Sequence, residues 1–136
     1  MSGTLLSQGA IEVGNIITNN GAIPTLSIGL FVNNHTPAWT DSNGSFTECT
    51  ATGYGRQPMP NAYWTIVAGG TPPATATAVP ALFTFTAGLG QSLYGWFLYD
   101  ESTGLILAAE QFTAAYAIPS GGGSYVVVPQ LNILPS

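Results

Sequence analysis

Few residues in this chain could do acid–base, nucleophilic or metal chemistry, so their spacing is weighed first. One histidine, one cysteine, one Arg/Lys (Arg56) and six acidic residues are spread over 136 positions. His35 precedes Thr36 and Pro37 and stands near Asp41, with serines close by. A Ser-His-Asp relay would use those residue types, but no G-x-S-x-G elbow offers an activated serine. A turn histidine with a satisfied hydrogen bond is the expectation. Cys49 lies between Glu48 and Thr50 with no base beside it, so it reads as a small buried residue rather than a thiolate nucleophile. A single His and a single Cys also fall short of a structural zinc site. Asp100 and Glu101 are adjacent in a turn, whereas glycosidase carboxylates face each other about 5 to 9.5 Å apart across a cleft. Asp100 is therefore expected to cap its turn and Glu101 to face water. Asp41-Ser42-Asn43-Gly44-Ser45 has the start of a calcium loop, but Thr52 stands where the bidentate glutamate belongs. Asn34 and Asn43 match the glycosylation acceptor pattern, which has little meaning without a secretion signal. No catalytic, cofactor-binding or metal-ligating residue is expected.

Binding chemistry has better candidates. Trp39, Tyr54, Tyr63 and Trp64 lie in or near loops, where flat rings could stack on sugars, although a β protein needs most of its aromatics in its core. Arg56, between Tyr54 and Pro58, is the lone cation among six acids. Its planar fork suits a carboxylate or carbonyls at a packed contact, with a ring stacked on it. Only 5 % of the residues are charged, against about 25 % in an ordinary soluble protein. So sparse a charge suggests that much of the surface is covered in an assembly. The net charge of -5 argues against nucleic acid and anionic membranes, which call for several Lys or Arg. No basic start of a secretion signal precedes Arg56, and no apolar run reaches the ~20 residues of a spanning helix, so synthesis in the cytosol is expected.

The elements that must position these residues read as strands. Leu93 to Phe112 is the centre: two apolar runs joined at Asp100–Gly104, a hairpin loop that Gly104 closes at positive φ, with Tyr99 opposite Leu105. Alternation sets Leu93, Phe97 and Tyr99 on one face and Tyr94, Trp96 and Leu98 on the other, so both faces need cover, and Gly95 permits a close approach to the backbone. Tyr94, Trp96 and Leu98, together with Arg56, are the expected interface residues. Thr25–Val32 and Leu82–Thr86 alternate with period 2, Phe46–Thr52 and Tyr63–Val67 have strand composition, and Tyr125–Val128 is an edge strand beside Pro129. Arg56–Pro60 reads as irregular, and Gly69–Pro80 as a surface loop of Gly, Pro, Thr and Ala. No helical stripe persists. An all-β chain follows, an antiparallel β-sandwich or jelly-roll-like single domain over residues 25–136, with an extended N-terminal arm over residues 1–24 that turns at Asn19-Asn20-Gly21 and could reach a neighbouring subunit. Its expected core contains Leu26, Ile28, Leu30, Phe83, Phe85, Phe97 and Leu107.

A string of short motifs carries a resemblance. Leu30-Phe-Val-Asn-Asn-His-Thr-Pro37, Phe46-Thr-Glu48, Gly53-Tyr54, Trp64, Phe83-Thr-Phe85, Tyr94-Gly-Trp96, Glu110 with Phe112, and Ile118-Pro-Ser-Gly-Gly-Gly123 together resemble small β-rich proteins of tailed bacteriophages. The resemblance spans roughly residues 26 to 130. It implies a virion component without catalytic residues, such as a capsid cement or decoration protein. Its partners would be the major capsid protein and copies of itself, set on threefold axes of the outer shell. The competing expectation is a tail or receptor-binding module that holds carbohydrate.

Overall fold

The computed structural model describes residues 3–11, 13, 25–60, 63–68 and 74–133. It is all-β, with antiparallel sheets in two layers. Among the described residues the strands are β1 (Thr4–Leu5), β2 (Leu26–Phe31), β3 (Gln57–Pro58), β4 (Trp64–Ala68), β5 (Ala74–Ala78), β6 (Ala81–Phe85), β7 (Ser92–Asp100), β8 (Leu105–Ala117), β9 (Gly123–Val127) and β10 (Gln130–Ile133). One layer is a five-stranded sheet in the order β1-β8-β7-β2-β3. The other layer is a three-stranded sheet, β10-β5-β4, and a two-stranded ribbon, β6-β9.

The central hairpin is β7 and β8. Gly104, at φ 75°, closes its loop, and its N–H donates to the Asp100 carbonyl at 2.8 Å. Pairing runs Asp100 to Leu105 and Tyr99 to Ile106, one position from the register expected. Two irregularities then sort the side chains. Opposite Leu98 and Tyr99, a bulge turns both Leu107 and Ala108 into the same core, because two residues on one strand face one on the other. Between Leu93 and Gly95 a second break moves Leu93 to the face of Trp96 and Leu98, away from Phe97 and Tyr99.

The large sheet is covered on both faces. Ile28, Leu30, Leu93, Trp96, Leu98 and Leu107 meet Ala81, Phe83, Phe85 and Val127 of the ribbon in the main core between the layers. The opposite face carries Phe31, Phe97, Ile106 and Ala109, and here the cover is the chain's own: Leu6 from the N-terminal segment and Phe46 from the loop after β2. Of the expected core residues, Leu26 is only partly buried, and Phe97 belongs to this second cluster.

Strand β5 forms within the stretch that reads as a loop. Its alternating Ala and Thr form a period-2 strand of small residues, which pairs with β4 and β10 and buries Ala76 and Ala78. Phe46–Thr52, read as a strand, makes only single bridges at Glu48 and Thr52, and the irregular Arg56–Pro60 holds β3. The N-terminal segment folds back: Thr4 and Leu5 pair with β8, and residues 7–11 turn helical. The turn read at Asn19-Asn20-Gly21 lies outside the described residues.

The loop between β2 and Phe46 is pinned by His35, whose Nε2–H donates to Asp41 Oδ2 at 2.7 Å, while Phe46 meets the His35 ring edge-on. Asp41 also accepts the Ala38 N–H at 2.7 Å. Partial burial pushes the Asp41 carboxyl up. The hydrogen bonds from His35 and Ala38, the His35 charge and Ser45 outweigh that and hold it below the usual carboxylate range. An unfolded chain binds a proton at Asp41 more readily, so stability from this group is complete above the unfolded value of about 3.9 and falls as pH drops through the lower folded value. Acid titration of thermal melting should therefore show a loss below about pH 4 that is smaller in Asp41→Asn. An identical acid slope in both proteins would assign the loss to the other carboxylates.

Candidate functional site

The outer edge of β2 positions the site. Its backbone groups are met in succession: Met59 N–H donates to Leu26 O, β3 pairs with Ser27 and Ile28, Cys49 N–H donates to Leu30 O, and Val32 N–H donates to Thr47 O. Leu30 N–H has no strand partner at that point and donates instead to the Tyr54 hydroxyl at 3.0 Å. An open sheet edge would be a template for another chain, and here short segments and one phenol close it.

These segments carry Glu48, Tyr54 and Arg56 into one network. Arg56 holds Glu48 bidentately, Nε to Oε2 at 2.8 Å and Nη2 to Oε1 at 2.8 Å. Tyr54 donates its hydroxyl proton to Glu48 Oε2 at 2.8 Å. The Arg56 Nη1 reaches Glu101 Oε1 at 3.4 Å, and the same oxygen accepts from Ser27 Oγ at 2.7 Å. The guanidinium carbon sits 3.8 Å from the centre of the Tyr99 ring. Arg56 thus meets both carboxylate and ring, as its type and isolation suggest, and the ring is that of Tyr99. Glu101 is tied into this network instead of merely facing water.

Electrostatics follow from that geometry. Hydrogen bonding to Glu48 pushes the Arg56 guanidinium above its already high value, so it is always charged. Burial pushes the Tyr54 phenol well above its ordinary range, which keeps its proton available to Glu48. Beside them Asn43, Phe46, Glu48, Arg56, Phe97, Tyr99 and Ile106 line a cleft of about 190 Å³. Three of the five guanidinium N–H groups are committed to protein carboxylates. With two carboxylates around one cation, the cleft offers little to an anion and serves as a clamp joining the β2 edge to the β7–β8 turn.

The other candidates are placed elsewhere. Trp96 is 1 % and Leu98 4 % exposed, both in the main core, and Trp96 donates its indole N–H to Glu110 Oε1 at 3.0 Å. Neither can meet another subunit, because the second layer of the chain's own sandwich covers them. Tyr94 is partly buried against the opposite cluster. Asp100 is buried and accepts the Ser102 N–H at 2.8 Å, the turn-capping role expected. Asn43 turns away from any cation: its Oδ1 accepts from Ile106 N–H and Gln8 Nε2, and its Nδ2 donates to Gly104 O. Burial pushes the Cys49 thiol up, away from nucleophilic use, and its Sγ lies 3.4 Å from Gln91 Oε1. Among the aromatics nominated for sugar stacking, Tyr54 lies parallel to Phe83 and Phe85, and Trp64 packs on the core. Trp39 and Tyr63 are exposed.

Arg56→Ala should destabilise the fold by about 1–2 kcal/mol, the scale of hydrogen bonds to a charged group discounted for solvent access. Arg56→Lys should recover less than half of that in a urea melt, since an ammonium cannot span both Glu48 oxygens. Full recovery by lysine would reduce the clamp to a simple charge pair. No protein-family model matches this chain, and no curated protein matches it in sequence.

Proposed function

We propose that this chain is a non-enzymatic structural protein of a phage particle, made in the host cytoplasm and bound to the outer capsid surface as a cement or decoration protein. The observation that carries the structural part is the use to which its polar chemistry is put. His35 and Asp41 pin a loop, Asn43 fastens that loop to β8, and Glu48, Arg56 and Glu101 clamp the β2 edge to the hairpin turn. Every such group stiffens the scaffold. The particle assignment rests on the motif string from Leu30 to Gly123. The outer position follows from the charge of -5, which packaged DNA would repel and which leaves the major capsid protein as the partner.

The carbohydrate-binding alternative needs an aromatic platform; Tyr54, Trp64 and Trp96 are engaged inside the fold, which leaves only Trp39 and Tyr63 of the nominated rings exposed. Sedimentation of intact particles tests the proposal. The protein should travel with the particles through a density gradient, and particles lacking it should break open at lower temperature. Recovery only in the soluble fraction, with unchanged shell melting, would overturn it.

A further inference from the structure

The ribbon β6-β9 has an inner and an outer face. Ala81, Phe83, Phe85 and Val127 point inward and are almost fully buried, so the alternate positions point away from the large sheet. On that outer face Leu82 and Val126 stand directly opposite each other, 53 % and 54 % exposed. Val128, one residue past β9, is 53 % exposed, and Val79, which extends the β5 ladder with its N–H on Tyr63 O, is 43 % exposed. Thr84 pairs with Ser124 beyond them. The result is an apolar centre with a polar margin, on a surface that nothing among the described residues covers.

Among the described residues, charge is segregated from this surface. Residues 57–99 and 111–136 contain no Asp, Glu, Lys or Arg at all, and these stretches supply β4, β5, β6, β9 and β10. Asp41, Glu48, Arg56, Asp100, Glu101 and Glu110 all sit on the five-stranded sheet or the loops attached to it. A partner with a charged surface would find no counter-charge on the ribbon. A second copy meets an uncharged apolar face like its own, and the acidic layers are held on the far sides of both molecules, where their repulsion is weakest.

We infer that the outer face of the β6-β9 ribbon is a self-association surface, which pairs two copies of this chain about a twofold axis. One self-complementary patch serves both partners in an isologous contact, whereas a threefold ring needs two different complementary patches. A standard interface takes about 800 Å² from each partner, roughly a ninth of the 7090 Å² that this chain exposes. Leu82, Val126 and Val128 form its centre. This inference does not depend on the particle assignment.

Sedimentation equilibrium of the purified full chain tests it. A dimer is expected at tens of micromolar. Val126→Lys should raise the dissociation constant at least tenfold, and the double variant Leu82→Glu/Val126→Glu should be monomeric at the same concentration. Circular dichroism and the melting profile of the monomeric form guard against misfolding, and Val126→Lys alone, at one exposed position, gives an independent reading. A wild-type chain that stays monomeric at 100 µM would overturn the inference, as would a dimer that both variants leave intact. A dimer sensitive to these substitutions in a protein that ignores capsids would sink only the virion reading.

Discussion

Phe97→Ala should lower the free energy of unfolding by about 3–5 kcal/mol, a large share of the ~5–15 kcal/mol that holds a domain of this size. Its ring is 1 % exposed and lies in the second cluster with Leu6, Phe31, Phe46 and Ile106. Tyr99 meets it edge-on at 6.4 Å between ring centres. Two residues covering this cluster lie outside the strands of the large sheet: Leu6, just past the edge strand β1, and Phe46, in the loop that His35 and Asp41 pin. Removing Phe97 therefore leaves a void under cover that is held at few points, and it also takes the ring off the Gly29 backbone. A urea melt followed by tryptophan fluorescence measures the loss. A change below about 1 kcal/mol would mean that the cover collapses into the void and that the cluster contributes little.

How far the sequence reveals this arrangement depends on the range of the contact. Period-2 alternation with bulky residues identifies β2, β6 and β7, since that pattern is local. β5 escapes because its inward residues are alanines, too small to stand out from a Thr/Pro-rich stretch. The two bulges escape as well. They set which of Leu93, Leu107 and Ala108 face the main core, and they come from strand pairing rather than composition. At the site, Arg56 is legible as a carboxylate-and-ring contact because it has no competitor. Its partners are not, since Glu101 comes from a turn 45 residues away and Glu48 is aimed by the hydrogen bonds that close the β2 edge. The assignment of Trp96 and Leu98 to an interface assumed that the main core lay on the opposite face. The outer cover is instead made by Leu6 and Phe46, on the Phe97 side.

One signal for that second face was present in the chain and is easy to overlook. Gly29-Leu30-Phe31 and Gly95-Trp96-Phe97 are the same Gly-x-Phe pattern on two strands. Antiparallel pairing places Gly29 opposite Phe97 and Phe31 opposite Gly95, so each ring lies over the glycine across from it. A Cβ at either glycine has no room, but the obstacles differ. At Gly29 the nearest atoms all belong to the Phe97 ring, the closest at 2.2 Å. At Gly95 the added carbon would lie 2.2 Å from the Glu110 carbonyl oxygen as well as 2.2 Å from Phe31 Cζ. Each alanine substitution should cost about 1–3 kcal/mol or more through overpacking. The two should then part in double-mutant cycles. Shortening the ring in Gly29→Ala/Phe97→Leu should relieve the clash, with a favourable coupling of about 1 kcal/mol or more relative to the sum of the single changes. Gly95→Ala/Phe31→Leu should stay close to additive, because the obstructing carbonyl belongs to the β7–β8 ladder and cannot retreat without breaking it. Equal coupling at both positions would show that the β8 backbone yields at the Leu93–Gly95 break, and that the rings alone enforce glycine on this face.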